Sequence, residues 1–189
     1  MLRATLELLG EVGYAELTMS AVAERAGSTT PALYRRFPSK PELVYRAAFA
    51  TPSEDQLPWA EETLWRTSPV AAVRSLVESS IAFFGRPAIR AAVAGLLAEM
   101  PGRPGLSRNL LGQLQEPSYD RLQRCLDRAA AAGTVRPGTV ATDVLDLVSG
   151  TVFMALSNER DLDRAWVDRA VAMVAGGVTV TADPDAGAR

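Results

Sequence analysis

The chain has 189 residues, of which 48% are apolar and 22% charged, with a formal net charge of -2 and an isoelectric point near 5.3. This length suits one ordinary domain, or a small module joined to a larger one, with a sizeable hydrophobic core. The absence of histidine excludes catalytic triads and histidine-containing zinc sites, and the single cysteine, Cys125, excludes internal disulfides and thiolate metal clusters.

Membrane and secretion signals are absent from the sequence. No run of about 18 apolar residues occurs, so no transmembrane helix is expected. The first residues include Glu7 and lack the long apolar segment of a signal peptide. We therefore expect a cytoplasmic protein that makes no membrane contact and holds no metal or other cofactor.

Apolar residues recur every three or four positions along the chain, which predicts an almost entirely α-helical fold. Four short helices are predicted first. One ends near Gly13, a second follows the N-cap Thr18, a third covers about residues 30–36, and a fourth begins after Ser39.

The helices lengthen after residues 51–58, whose two prolines and two acidic residues predict a hinge. They are predicted to start at Pro69 and Pro87. One longer helix or a helix pair is then predicted over about 107–132, followed by a helix from after Gly138 to about 157 and a last helix over about 163–175. Residues 178–181 alternate like a strand, but no partner strand is evident and we expect a frayed end. This pattern divides the chain into domains at 1–50 and 51–181, followed by a disordered tail at 182–189.

Two of the short helices, with the tight turn between them, have the spacing of a DNA-binding helix-turn-helix. Ala23 lies four residues before Gly27, where the helices cross too closely for a larger side chain. Gly27 permits a positive φ in the turn. Leu33 is then placed to anchor the second helix on the first.

The segment from Thr18 to Leu43 resembles the N-terminal domain of the TetR family of bacterial repressors. The residues that carry the resemblance are Gly13-Tyr14, Thr18, Val22-Ala23, Ala26-Gly27, Leu33-Tyr34, Phe37, Ser39-Lys40 and Leu43. The resemblance implies an all-α fold, with an N-terminal three-helix helix-turn-helix domain and a larger C-terminal helical domain for ligand binding and dimerisation.

The resemblance also implies which residues bind DNA. Phosphate contacts are expected from Thr18, Tyr34, Arg36 and Lys40, and major-groove contacts from Thr29, Thr30, Pro31, Ala32 and Arg35. Hydroxyls, methyl groups and an arginine fork suit base edges, whereas phosphate contacts position the module. Each residue also has an ordinary structural explanation: Thr18 as an N-cap, Tyr34 as core, and the two arginines as solvated surface.

The local charge favours DNA contact. Residues 29–41 contain three basic residues and no acidic one. Residues 1–50 contain six basic and five acidic residues, against fourteen and seventeen in the remainder. Local charge, rather than the charge of the whole chain, decides whether a surface binds phosphate.

Two features depart from the family pattern. Ser28 follows the turn glycine, where family members usually have an apolar residue, so the turn loses packing. The chain begins seventeen residues before Thr18, which predicts a short first helix, no basic N-terminal arm and weaker DNA binding.

The resemblance implies that the C-terminal helices bind a small molecule and form a dimer. The candidate ligand contacts, which would equally suit a plain core, are Trp65, Phe83, Phe84, Leu96, Leu97, Met100, Leu110, Leu114, Tyr119 and Phe153. Arg90 and Glu99 offer polar groups for such a ligand, and a solvated helix face explains these two residues equally well. The last two predicted helices have wide apolar sectors, which predict a homodimer interface through Val144, Val148, Val152, Trp166, Ala170 and Met173. The alternative is that these helices are buried within a monomer.

The sequence therefore predicts a homodimeric transcriptional repressor that binds a palindromic operator in double-stranded DNA and is released by a small, largely apolar inducer. The alternative is a helical protein-interaction adaptor that has lost DNA binding. An enzyme is not expected, because acid pairs such as Glu61-Glu62 are typical helix caps and no phosphate-binding loop or metal-spaced cluster occurs.

Overall fold

Ten α-helices form nearly all the secondary structure in the residues that the computed structural model describes, which are 1–49, 58–99 and 116–180. They are α1 (Leu2–Glu16), α2 (Met19–Arg25), α3 (Thr30–Arg36), α4 (Lys40–Phe49), α5 (Glu62–Thr67), α6 (Pro69–Phe84), α7 (Pro87–Glu99), α8 (Glu116–Ala131), α9 (Ala141–Ser157) and α10 (Arg164–Val178). A 3-10 turn at Pro58–Ala60 and helix α5 were not predicted. The all-α class is confirmed.

The helices form two compact units. The N-terminal unit contains α1 to α4, α7 and the last two residues of α6. The C-terminal unit contains α5, the rest of α6, all of α8 except its first residue, and the whole of α9 and α10. The sequence-based boundary after residue 50 assigns α7 to the second domain instead. The domain boundaries stay a prediction, and the tail at 182–189 and most of the hinge at 51–58 lie outside the described residues.

In the N-terminal unit, α1 packs against α2, α4 and α7, and α4 also packs against α7. The buried faces include Leu8 and Leu9 of α1, Leu43 of α4, and Ile89 and Leu96 of α7. Burial of each such side chain contributes about 1.5–3 kcal/mol. Because helices this short are marginal alone, this shared core stabilises them.

The first helix is interrupted at Gly13, as predicted, where the backbone is non-helical with φ 74° and ψ -179°. A short helical stretch then continues to Glu16. The predicted break therefore occurs as a kink. Tyr14, directly after it, becomes important for the site below.

In the C-terminal unit, the buried side chain of Trp65 lies in the core, with its indole N–H donating to the carbonyl of Trp59 at 2.6 Å. Helix α8 supports this segment, since Arg121 donates to the carbonyl of Ala60 at 3.1 Å. The first backbone N–H of α9, at Ala141, donates at 2.8 Å to Gln123 of α8. A side chain distant in sequence thus caps a helix whose N-cap residue, Val140, cannot do so.

The expectation that residues 178–181 form a frayed end is wrong for Val178, Thr179 and Val180. Thr179 pairs in an antiparallel bridge with Val135, which lies just after α8. The backbone N–H of Arg136 donates to the carbonyl of Val178 at 2.8 Å. The partner lies 44 positions earlier in the chain and presents only a short segment, so periodicity gave no sign of it. Thr181 lies outside the described residues.

Within the described ranges, no single helix is long and apolar enough to cross a membrane. The bent pair α6 and α7 meets the length and composition limits when the two helices are taken together, as buried core helices also do.

Candidate nucleic-acid interface

The turn between α2 and α3 has the geometry of a Schellman C-cap. Gly27 has φ 60°, and its N–H donates to the carbonyl of Glu24 at 3.0 Å, while the N–H of Ser28 donates to that of Ala23 at 2.8 Å. Only glycine adopts this backbone conformation without steric cost. Ser28 occupies the position at which this motif usually makes an apolar contact, so the departure noted in the sequence falls on the turn itself.

Helices α2 and α3 are each started by a threonine. Thr18 accepts a hydrogen bond from the N–H of Ala21 at 3.1 Å, and Thr29 accepts one from that of Ala32 at 3.3 Å. Each hydroxyl uses its oxygen as acceptor, so its proton is still available to donate to a phosphate or base. Capping and DNA contact are therefore compatible at both positions.

Helix α3 is fixed to the protein through one face. Leu33 is fully buried and Phe37, just after the helix, is almost so. The opposite side is exposed: Tyr34 is 49% accessible, and Thr29, Pro31, Arg35 and Arg36 are exposed, while Thr30 and Ala32 are half-buried. The interpretation of Tyr34 as a core residue is therefore wrong.

The exposed side of α3 is positively charged. Among the described residues, neither Arg35 nor Arg36 has a carboxylate within ion-pair distance. The guanidinium of Arg36 lies 5.7 Å from the ring centroid of Phe37. Both charges are thus available to a phosphate or a base.

Lys40 starts α4, and its side chain is half-buried. Its ammonium donates to the carbonyl of Ala15 at 3.2 Å and lies 4.4 Å from the ring centroid of Tyr14. Both partners belong to the end of α1. The nine predicted DNA-binding residues therefore occupy the N-cap of α2, the N-cap and body of α3, and the start of α4.

Arg25, the last residue of α2, is exposed and forms an ion pair with α1. Its guanidinium forms two hydrogen bonds of 2.8 Å with the Glu11 carboxylate and lies 3.9 Å from Glu7. The bond from Arg25 holds the pKa of the Glu11 carboxyl below its usual value. The pair links α1 to α2, and the positive charge of Arg25 is therefore paired within the protein and not available to DNA. Nothing in the local sequence identifies this pair, because its members are 14 residues apart.

The predicted ligand contacts are divided between the two units. Phe83, Phe84, Leu96 and Leu97 belong to the N-terminal unit, and Trp65, Tyr119 and Phe153 to the C-terminal unit. Phe84, Leu96 and Trp65 are buried, Leu97 is 53% exposed, and the others are half-buried. Met100, Leu110 and Leu114 lie outside the described residues. Of the proposed polar groups, Arg90 donates to the carbonyls of Phe84 and Gly85, and Glu99 accepts from Tyr14.

The predicted dimer residues are mostly buried within a single chain. Val144, Val148, Val152, Trp166 and Ala170 are each at most 6% exposed, whereas Met173 is 71% exposed. The first five therefore have little surface to offer a partner. Wide apolar sectors on α9 and α10 exist, but one side of each is used by the unit's own core.

A shallow concavity of about 350 Å³ in the C-terminal unit is lined by Arg74, Glu78, Arg164 and Val167. Arg74 also pairs with Asp168 at 2.6 Å. None of the predicted ligand contacts lines this concavity, and its charged walls do not suit an apolar molecule.

Two ionisable groups of the C-terminal unit are shifted towards their neutral forms. Burial, and then the nearby Asp146 carboxylate, raise the pKa of Tyr119 to about 12. Burial, and then Glu62, also raise the pKa of the Cys125 thiol. A thiol of this kind is unreactive at neutral pH. The described residues contain no cluster of three or more groups that could hold a metal ion.

Two family models match this chain. The model described as "Bacterial regulatory proteins, tetR family" matches residues 1–47, and that described as "Tetracyclin repressor-like, C-terminal domain" matches residues 67–174. An uncharacterised HTH-type transcriptional regulator of Mycobacterium bovis is 28% identical over 79% of this chain and 71% of its own length. The class A tetracycline repressor protein from transposon 1721 of Escherichia coli is 36% identical over 44% of this chain and 39% of its own length.

Solved structures show the same fold. A TetR-family transcriptional regulator from Mesorhizobium loti has a TM-score of 0.67 at 17% identity, covering 95% of both chains. The regulator FadR from Bacillus subtilis, solved with stearoyl-CoA, has a TM-score of 0.66 at 14% identity, covering 93% of this chain and 96% of its own. The flavonoid-responsive regulator FrrA has a TM-score of 0.62 at 23% identity, covering 96% of both chains.

Proposed function

Because this chain belongs to the TetR family of bacterial regulatory proteins, we propose that it is a homodimeric repressor of a palindromic operator, released by a small, largely apolar molecule. Members of this family are transcriptional regulators that respond to ligands, and the chain is accordingly a regulator and not an enzyme. We place it in the bacterial cytoplasm, where its DNA lies.

One observation carries the proposal for DNA binding: the exposed side of α3 holds two arginines that have no carboxylate partner in the described part of the chain. The Schellman turn at Gly27 and the burial of Leu33 fix the helix below that side. Arg35 and the first-turn residues of α3 then read bases in the major groove, while Thr18, Tyr34, Arg36 and Lys40 bind phosphates. A dimer would present two such helices roughly 34 Å apart, which matches a palindrome.

Two observations support a largely apolar inducer. The candidate contacts are almost all aromatic or aliphatic. Of two regulators with this fold, one was solved in complex with stearoyl-CoA and the other is described as flavonoid-responsive. A ligand that favours one arrangement of the DNA-binding units by about 1–3 kcal/mol would weaken operator binding by roughly 5- to 150-fold. The seven described candidates are retained as proposed ligand contacts.

For the dimer we propose the surface that the monomer leaves exposed on α9 and α10. Leu147, Met154 and Met173 are 57%, 56% and 71% exposed, which is unusual for side chains of this size. Gly150 and Gly176 on the same helices have open space where a side chain would stand, so another backbone can approach closely. These residues replace the five buried ones as the proposed core of the interface.

The proposed function is tested by selecting fragmented bacterial genomic DNA on the purified protein at near-physiological salt. Enrichment of one short palindrome is expected, and the enriched sequence then serves as the binding probe. Arg36→Ala and Lys40→Ala should each weaken binding and reduce the salt slope by about 1, because each removes a phosphate contact.

Arg66→Ala is the matched control, since it removes an exposed positive charge from α5 in the other unit. It should leave affinity and salt slope unchanged. An adaptor without DNA binding would enrich no sequence and would be indifferent to all three substitutions. That result, with folded protein, would overturn the proposal.

A further inference from the structure

Tyr14 connects a helix outside the helix-turn-helix with the DNA-binding residues. Its hydroxyl donates to Oε1 of Glu99 on α7 at 2.9 Å, over a sequence separation of 85 residues. The ammonium of Lys40 lies 4.4 Å from the centroid of the Tyr14 ring. All three residues belong to the N-terminal unit, in which α1, α4 and α7 pack against one another.

The place of the Tyr14 ring is fixed by a glycine. A Cβ atom added to Gly95 would overlap Cγ, Cδ1 and Cδ2 of Tyr14, so the ring rests on the bare backbone of α7. The hydroxyl then reaches Glu99, one helical turn further along the same helix. Two neighbouring turns of α7 therefore determine both the position and the orientation of the ring.

The ring in turn restrains Lys40. A lysine side chain has four flexible bonds and loses rotamer freedom when it binds. Here the Ala15 carbonyl accepts one of its N–H bonds at 3.2 Å, and the ring attracts the charge through its π face. An ammonium has three donors, so one engaged with Ala15 leaves others for a phosphate. Lys40 is thus held in place before DNA arrives.

Glu99 strengthens this restraint through the ring. A phenol that donates to a carboxylate gains electron density on its oxygen and ring, because hydrogen-bonded groups polarise one another. A more negative ring face binds a cation more strongly. Loss of the Tyr14–Glu99 bond therefore weakens the hold on Lys40 even when the ring itself stays in place.

We propose that Tyr14 is a positioning residue for DNA binding, which fixes Lys40 for its phosphate contact and makes that contact depend on Gly95 and Glu99 of α7. This proposal rests on the proposed function, since Lys40 must first be a DNA contact. It deepens that function by identifying one contact that α7 controls without any change in the base-reading residues of α3.

The test uses Tyr14→Phe in the full-length protein, with the duplex recovered from the genomic selection as probe. Phenylalanine keeps the ring on Gly95 and removes only the hydroxyl. We expect operator affinity to fall by about three- to ten-fold and the salt slope to move towards that of Lys40→Ala. Glu99→Gln should have a smaller effect in the same direction, because an amide still accepts the bond without the charge.

A double-mutant cycle separates positioning from a general structural effect. Tyr14→Phe should cause no further loss of affinity when Lys40 is already alanine. Tyr45→Phe is the matched control, since it removes a phenol hydroxyl from α4 in the same unit, and it should leave affinity unchanged.

Melting temperatures of all variants are measured alongside. Equal losses for Tyr14→Phe with and without Lys40 would overturn the positioning role, and so would unchanged affinity in the single variant. Either result would leave the proposed function standing if the unsubstituted protein still binds its palindrome. Failure of the unsubstituted protein to bind any DNA would overturn both proposals.

Discussion

Glu159, just after the end of α9, has the left-handed backbone conformation that Gly27 has just after the end of α2. It has φ 54°, its N–H donates to the carbonyl of Leu156, and that of Arg160 donates to Ala155. This is the same Schellman arrangement as at Gly27. A side chain in this conformation costs about 1–2 kcal/mol, so the end of α9 is strained where the end of α2 is not.

Glu159→Gly should stabilise the C-terminal unit by about 0.5–1 kcal/mol, because relief of strain exceeds the added freedom of the unfolded chain. Chemical unfolding followed by circular dichroism measures the change. Gly27→Ala is the opposite control, since it puts a side chain into the same conformation, and it should lower stability by about 1–2 kcal/mol. Equal stability of the Glu159→Gly variant and the parent would contradict the prediction.

At the scale of elements, α1 holds the helix-turn-helix at both of its ends. The ion pair from Glu11 to Arg25 ties it to the end of α2, and the Ala15 carbonyl with the Tyr14 ring ties it to the start of α4. Helix α1 thus sets where the flanks of α3 lie. The two links are exposed or half-buried, so their strength depends on solution conditions.

The Glu11–Arg25 link predicts a dependence on pH. The pKa of Glu11 is lowered in the folded state by its bond to Arg25. A carboxyl with a lowered pKa contributes stability above its unfolded value, near 4.5, and this contribution disappears as the pH falls through the folded value.

Glu11→Gln should therefore lower the melting temperature at neutral pH, and the difference from the parent protein should vanish in acid. It should also shrink at high salt, since the pair is exposed. Glu16→Gln, which removes another exposed carboxylate of α1, is the control. A difference that persists unchanged below the folded pKa of Glu11 would rule out the ion pair as its cause.

At the scale of the whole molecule, the proposed dimer depends on the exposed apolar side chains of α9 and α10. A monomer rarely leaves three large apolar side chains as accessible as Leu147, Met154 and Met173 on two consecutive helices. The same helices provide the core of the C-terminal unit through their opposite sides, with residues such as Val148 and Val171. A helix that is apolar on both sides is expected to be covered on both.

Met173→Glu should dissociate the proposed dimer, because it places a charge in the proposed apolar interface. Sedimentation velocity over a range of protein concentrations measures the change, and operator affinity should fall with it. Val12→Glu is the control: it changes an apolar side chain of 46% exposure in the N-terminal unit and should leave the dimer intact. If the Met173→Glu variant is still a dimer, the interface lies elsewhere. If the unsubstituted protein is a monomer, the proposed dimer is excluded.

Much of this protein was predictable from local sequence. The helical class follows from periodicity, and the turn at Gly27 follows from a motif whose members are close neighbours in the chain. The Thr18 cap was equally readable, because a cap acts within three residues. These features depend on interactions that span one or two helical turns.

The tertiary structure was required to decide which side of each helix is buried and which side chains form contacts with one another. Val144 and Leu147 are both apolar residues of one helix, but only packing decides that the first is buried and the second exposed. The links from Tyr14 to Glu99, from Arg25 to Glu11 and from Thr179 to Val135 join residues 14 to 85 positions apart. Sequence alone thus determined most of the helices and the DNA-binding motif, whereas the tertiary structure decided which side chains meet, because those contacts form only when distant helices pack together.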